Sequence, residues 1–140
     1  MIRQIINVSL AAMKSVNKFQ VGISQVKIEF LPGKSWFLLT HTPGTFDLSE
    51  KQKTDASGVL FEQKLKCNYT RYERTDDNRV HYWQMADLLL KVEYNTGETE
   101  IIGCPVFPVR LNATLEVGKS TVYKLEFTCS TIYRALSLVN

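Results

Sequence analysis

The chain has 140 residues, of which 44% are hydrophobic and 22% charged, proportions that are typical of a folded globular domain. They exclude a wholly disordered chain and predict one β-rich domain, 1–140, with a core of its own. The formal net charge is only +3 and the basic residues are scattered, so no nucleic-acid interface is expected.

The first forty residues favour strands. Residues 2–16 fit both a helical and a strand period, and we favour a strand over 2–10, with a short helix as the alternative. Apolar and charged residues alternate over 26–30, which predicts a half-buried strand. The turn 31–33 ends that strand, and 35–42 is a second strand candidate.

The longest polar stretch of the chain covers residues 47–58. It has few side chains that could be buried, so we predict a long mobile loop that becomes ordered only against a partner. Proteases would then cut the free protein first near Lys51 or Lys53.

A long strand is predicted over 59–73. At about 3.3 Å per residue it would span roughly 50 Å, more than twice the usual length, so it bends at a bulge or projects beyond the domain. Residues 76–78 are interpreted as the turn that ends it. Its apolar side chains share one face, which Gln63 interrupts: Phe61, Leu65, Cys67 and Tyr69.

The second half of the chain predicts one short helix followed by two β-hairpins. Apolar residues have helical spacing over 79–88. The first hairpin covers 88–102 and turns at a glycine, and 103–108, which contains two prolines, is a crossover. The second hairpin covers 109–129, turns at Gly118, and places four large side chains in the core: Leu111, Leu115, Leu125 and Phe127.

The last stretch, 131–140, is an apolar C-terminal tail. We expect it to pack on the chain's own core or on a neighbouring subunit. The fold class predicted from all these elements is mainly β, an antiparallel β-sandwich or a partly open barrel with one short helix.

Residue types that carry chemistry occur without companions. His41 has no acid near it in sequence, and His81 lies in an aromatic patch, so each is expected to be a surface or packed structural residue. Asp76 and Asp77 fit a turn, and Glu98 with Glu100 fits one face of an exposed strand. Residues 118–121 resemble the end of a phosphate-binding loop, but the upstream glycine and the following helix are missing. We therefore predict no catalytic, cofactor-binding or metal-binding residue, no cofactor, and no enzyme.

Three further features of the sequence indicate no specialised function. The basic residues Arg71, Arg74 and Arg79 are interleaved with acidic ones, which indicates a solvated turn. No apolar run is long enough for a membrane span, and no secretory signal is predicted. The three cysteines show no metal or disulfide spacing and are expected to be free thiols in a reducing compartment: Cys67, Cys104 and Cys129.

Aromatic residues cluster around the predicted central turn. They favour a core or a protein interface, and they leave ligand stacking open as the alternative. The residues are Tyr69, Tyr72, Tyr82 and Trp83.

The order of turn and strand motifs over residues 25–130 resembles small uncharacterised proteins encoded in the virion-structure regions of Bacteroidetes phages and prophages. The resemblance implies a non-enzymatic tail or head–tail component that assembles with itself or with other virion proteins. Such a chain would reside in the host cytoplasm during assembly and then in the virion. The motifs are 31–33 with Trp36, 44–46, 55–58, 88–94, 95–97, 101–103, 108–111 and 125–127.

Two other function classes stay open at this point. The first is a monomeric β-sandwich binding module that takes a carbohydrate or a peptide at the aromatic cluster 69–83. The second is an enzyme whose carboxylates or metal ligands are assembled only by folding. Self-association is favoured by the over-long strand, the polar stretch 47–58 and the apolar tail 131–140.

Overall fold

The computed structural model describes residues 3–56, 58–132 and 134–139. This part of the chain forms two β-sheets and one α-helix, α1 (Arg74–Met85), so the mainly β class is confirmed. The strands are β1 (Ile5–Ala12), β2 (Val16–Val21), β3 (Gln25–Phe30), β4 (Phe37–Leu38), β5 (Asp47–Asp55), β6 (Gly58–Thr70), β7 (Leu88–Tyr94), β8 (Thr99–Ile102), β9 (Arg110–Val117), β10 (Thr121–Thr131) and β11 (Leu136–Val139).

The two sheets pack face to face and neither closes into a barrel. The seven-stranded sheet has the order β2-β3-β11-β8-β7-β1-β4, and the four-stranded sheet has the order β5-β6-β10-β9. All neighbouring strands are antiparallel except β11 and β3, which are parallel. The core between the sheets contains inward side chains of both, among them Leu10, Leu90, Leu65, Leu125 and Phe127.

The seven-stranded sheet is strongly curled. Strands β1 and β2 stand five positions apart in it, which would be roughly 24 Å in a flat sheet. They are joined by a single 3₁₀ turn, Met13–Ser15, whose reach is about 14 Å. The sheet therefore bends around a second apolar cluster on its other face, formed by Val26, Leu89, Ile101 and Leu136.

The predicted mobile loop at 47–58 is wrong. Residues Asp47–Asp55 form β5, which pairs with β6 in continuous register as far as Asp55 and Gly58. The stretch has few apolar residues, Leu48 being one that packs on the core, because β5 is an edge strand whose outward face is solvated and whose ladder forms through the backbone. Lys53 forms an ion pair with Glu62 of β6. Ser57 lies outside the described residues.

The long strand is confirmed as β6, which ends at Thr70 rather than at 73. Its register with β10 has no bulge, and the last pair is Phe61 with Thr131. Residues 58–60 pair with β5 and extend past β10, so the strand projects beyond its neighbour. Leu65, Cys67 and Tyr69 face the core as predicted.

The helix was predicted five residues too late. It begins at Arg74, so residues 76–78 lie in its first turns and do not form the predicted turn, and it ends at Met85. The carboxylate of Asp76 accepts the backbone N–H of Glu73, as the third helical residue does in a capping box. The sequence does not predict this capping box, because glutamate is not a preferred N-cap residue.

Both hairpins are confirmed, with turns at Gly97 (φ +90°) and at 118–120. Leu111, Leu125 and Phe127 are buried, but the prediction for Leu115 is wrong, because 46% of its surface is exposed where the β9–β10 tip passes the edge of the core.

The ends of the described chain join the seven-stranded sheet. The predicted N-terminal strand is confirmed as β1, and the candidate over 35–42 is reduced to Phe37–Leu38. Of the two alternatives for the tail, packing on the chain's own core is the one observed, because β11 lies between β3 and β8. Met1, Ile2, Tyr133 and Asn140 lie outside the described residues.

Candidate functional site

The most buried charged group is the carboxylate of Asp76, which is 1% exposed at the start of α1. Its Oδ1 accepts the hydroxyl of Tyr69 at 3.0 Å, and its Oδ2 accepts the backbone N–H of Tyr72 at 2.9 Å. Burial opposes ionisation, but these hydrogen bonds and the charge of His41 outweigh it, so the pKa of Asp76 is lowered. Arg79 lies 3.4 Å from the same carboxylate.

His41 lies beside this carboxylate, although no acid is near it in sequence. Its Nδ1 is 3.8 Å from Oδ1 of Asp76, too long for a hydrogen bond, and has no hydrogen-bond partner among the described residues. Its φ of +57° is the left-handed region, and its ring packs on Tyr69 and Tyr72. An imidazole beside a carboxylate can act as a general base, but this one packs on two aromatic rings and does not line the cleft described below.

The next residue of α1, Asp77, links the helix to the four-stranded sheet. Asp77 accepts the side chain of Arg71 at 2.9 Å and also the hydroxyl of Tyr123 on β10. Burial, with Asp77 adding to it, raises the pKa of Tyr123 to about 12. The interleaved charges around residues 71–79 are therefore structural links and not the solvated turn that was predicted.

The aromatic cluster is divided between core and surface. Tyr69 and Trp83 are buried and meet edge to face at 5.7 Å, whereas Tyr72 and Tyr82 are exposed. Since a buried ring presents no face to a ligand, only Tyr72 and Tyr82 of the four could stack on one. His81 is exposed on α1.

Arg3 contacts Glu98 and Glu100, the two glutamates at the β8 end of the first hairpin. Its Nη1 is 3.0 Å from Glu98 and 3.3 Å from Glu100, and its guanidinium lies 4.1 Å from the ring centroid of Tyr94. Burial, with the charge of Glu100 adding to it, raises the pKa of Tyr94 to about 12. This paired arrangement explains both carboxylates without a metal ion.

The three cysteines are free thiols, as predicted, and all three are buried. Burial raises the pKa of Cys67 and of Cys129 to about 12, which keeps both thiols protonated and unreactive. Within residues 3–56, 58–132 and 134–139, no group of three or more histidine, cysteine, aspartate or glutamate side chains could hold a metal ion. Residues 118–121 span the turn of the second hairpin and the first residue of β10.

A cleft of about 770 Å³ opens between the two sheets, and we call it the inter-sheet cleft. It is lined by the start of β1, by β5, β6, β7 and β8, and by the segment 134–135. Its polar residues were missed as a site in the sequence because they come from distant segments. The signal that was present is Gln63, a polar residue at an inward strand position. Its central polar residues are Arg3, Glu50, Gln63, Glu100 and Arg134.

The four-stranded sheet ends in two long edge strands. In the described part of the chain, β5 and β9 each pair along their length on one side only, although Val109, just before β9, forms an isolated bridge with Leu88, and α1 packs against β9. At the tip of β9, Leu115 and Val117 are 46% and 78% exposed, on the same face as buried Leu111. An unpaired strand with exposed apolar side chains is a surface on which other chains can add a strand.

No helix in the described residues is long and apolar enough to cross a membrane. Comparison with known proteins gave no match to a family model, to a curated protein or to a solved structure.

Proposed function

We propose that this chain is a non-enzymatic structural protein of a phage or prophage virion, acting in the tail or head–tail region through protein–protein assembly. The observation that supports this most is the pair of long edge strands, β5 and β9, that border one sheet. The partners would be further copies of the chain and other virion proteins. The virion is suggested by the resemblance of the motifs over 25–130.

The directions of the strands favour a head-to-tail contact. Neighbours in the four-stranded sheet alternate in direction, so β5 and β9 run opposite ways. The β5 of one copy can therefore pair with the β9 of the next copy while both copies keep the same orientation. A repeated contact of this kind forms a ring where its rotation closes.

The side chains favour this contact over pairing of like edges. Lys51 on β5 would repel the same residue of a second β5, as lysines on edge strands commonly do, whereas Lys53 is paired with Glu62. The other edge carries exposed Leu115 and Val117, so it offers apolar surface, while its Glu116 forms an ion pair with Lys124 of β10.

Assembly can be tested with one substitution at the tip of β9. We expect Val117→Lys to fold normally, because the side chain is 78% exposed, and to lose incorporation into particles purified from the source element. Light scattering gives the mass of the free protein, and mass spectrometry gives its stoichiometry in particles. The matched control is Ile23→Lys, which changes a residue that is 97% exposed and lies outside β5 and β9.

A chain that is a stable monomer and is also absent from particles would overturn the proposal. Equal incorporation of Val117→Lys and Ile23→Lys would show that the β9 edge is not the contact.

A further inference from the structure

Gln63 is a buried polar side chain with half of its amide unpaired. It lies on the inward face of β6, is 2% exposed, and is flanked on that face by Leu65. Its Nε2 donates to Oε1 of Glu50 at 2.9 Å, while its Oε1 has no partner among the described residues. A buried acceptor without a donor destabilises the fold, so an apolar residue would be favoured here unless a donor arrives from outside.

The groups beside Gln63 can serve the same incoming molecule. Glu50 also accepts the backbone N–H of Ala135 at 3.3 Å, which fixes its carboxylate at the cleft. The guanidinium of Arg134 lies 5.1 Å from the ring centroid of Phe61 and makes no ion pair within the described residues. This wall thus offers two acceptors and one planar donor.

The opposite wall is already satisfied. Arg3 is paired with Glu98 and Glu100 and lies over Tyr94, so these side chains hold one another in place. They give the cleft a preorganised polar side whose remaining lone pairs and N–H groups can meet a ligand without rearrangement.

The charge balance of the inter-sheet cleft limits what it can take. Three carboxylates line it, those of Asp47, Glu50 and Glu100, together with the guanidinium groups of Arg3 and Arg134. An anion would meet the carboxylates and a cation the guanidinium groups, whereas a hydroxyl both donates and accepts. We propose that the inter-sheet cleft binds a neutral polyhydroxylated ligand of the chemical class of a mono- or oligosaccharide.

The dimensions of the cleft suit such a ligand. Its volume of about 770 Å³ lies within the range of small-molecule sites, roughly 300–1,000 Å³. A ligand hydroxyl that donates to Oε1 of Gln63 would supply the missing hydrogen bond, and a neighbouring hydroxyl could accept from Arg134. The site and the assembly contact share β5 but use different parts of it: the cleft uses side chains that face the space between the sheets, and the contact uses the backbone edge of the strand.

The experiment is a titration of the full chain, followed by amide NMR, with glucose, galactose, N-acetylglucosamine and their β-linked disaccharides. At about 10 mM, a weak ligand with a millimolar Kd would occupy most sites. We expect shifts at residues 46–50, 63 and 134–135, and an affinity at least about tenfold lower in Gln63→Leu. Gln20→Leu, an exposed change on β2, is the matched control and should bind normally.

A second pair of variants keeps the test decisive if Gln63→Leu does not fold. Glu50→Gln should weaken binding, and Glu126→Gln, the same change on the outward face of β10, should not. The proposal is overturned if no saccharide shifts the cleft amides, if the shifts lie elsewhere, or if inorganic phosphate or free lysine shifts them instead. The Val117→Lys variant should still bind the saccharide, so a failure of the cleft proposal can be distinguished from a failure of the assembly proposal.

Discussion

The hydroxyl of Tyr69 donates to the carboxylate of Asp76 at 3.0 Å, and this bond ties the first turn of α1 to the C-terminal end of β6. Because the same carboxylate also accepts the backbone N–H groups of Tyr72 and Glu73, one side chain orders the connection between strand and helix. Arg79, one turn further along, contacts both Tyr69 and Asp76.

Replacing this carboxylate should destabilise the fold. We expect Asp76→Asn to lower the free energy of unfolding by about 1.5–3 kcal/mol, the usual range for hydrogen bonds to a charged group. Urea denaturation measures the change. Asp87→Asn, which breaks the exposed pair with Arg110, should cost at most about 1 kcal/mol. Equal losses in the two variants would contradict the role of Asp76.

The same carboxylate makes stability depend on pH in acid. The folded pKa of Asp76 lies below its ordinary value of 3.8, so the unfolded chain binds more protons as the pH falls. The stabilisation is therefore complete above the ordinary pKa and is lost as the pH drops through the folded one. Urea midpoints measured from about pH 5 down to pH 2 should fall more steeply for the wild type than for Asp76→Asn. Parallel curves would argue against this assignment.

The inward face of β10 can be tested by truncation. Phe127 is 1% exposed, so Phe127→Ala should cost roughly 3–5 kcal/mol in stability. Leu115→Ala, opposite Tyr123 on the neighbouring strand, should change stability by only about 0.5 kcal/mol, because the side chain is half exposed. Thermal denaturation of both proteins distinguishes the register described here from one that buries Leu115.

One glycine is required by both its backbone and its surroundings. Gly103 has φ +98°, and a Cβ there would lie 2.9 Å from Cγ2 of buried Val109. Gly103→Ala should therefore destabilise the protein by about 1–3 kcal/mol. Gly118→Ala is the control, since no atom lies within 4 Å of its added Cβ, and it should remain within about 0.5 kcal/mol of the wild type.

The strand assigned to β5 changes the expected pattern of proteolysis. Lys51 and Lys53 lie in a paired strand, whereas Lys34 and Lys119 lie in turns. Brief digestion with trypsin should therefore cut at Lys34 or Lys119 first, as mass spectrometry of the fragments would show. Initial cleavage at Lys51 would contradict the paired strand and support the mobile loop predicted from the sequence.

The sequence predicted best where one face of a strand is buried. The hairpins at 88–102 and 109–129 were found because apolar and polar residues alternate and a turn separates the strands. β5 was missed because an edge strand with a solvated face needs no apolar residues, so its sequence is like that of a polar loop. Leu115, near the tip of β9, was wrongly predicted to be buried, because apolar and polar residues keep alternating beyond the point where the other sheet covers the strand.

The candidate sites were harder to predict because they join distant segments. His41 and Asp76 meet only after β6 and α1 have folded together. The inter-sheet cleft combines residues from the start of β1 with Arg134, which no local spacing can indicate. Gln63 was visible as a break in an apolar face, but its missing hydrogen bond depends on neighbours that only the fold supplies.

The position of β11 has a consequence for how the protein is made. The hairpin of β2 and β3 joins the rest of its sheet through β11, which lies between β3 and β8. Residues 16–30 are made long before β11, so the edge of β3 that faces away from β2 has no paired strand until Val139 has emerged. The edge of β3 therefore stays unpaired on the nascent chain until β11 has been made, and pairing between such distant segments is slow. A chaperone that covers β3 during this interval would be expected to raise the yield of folded protein.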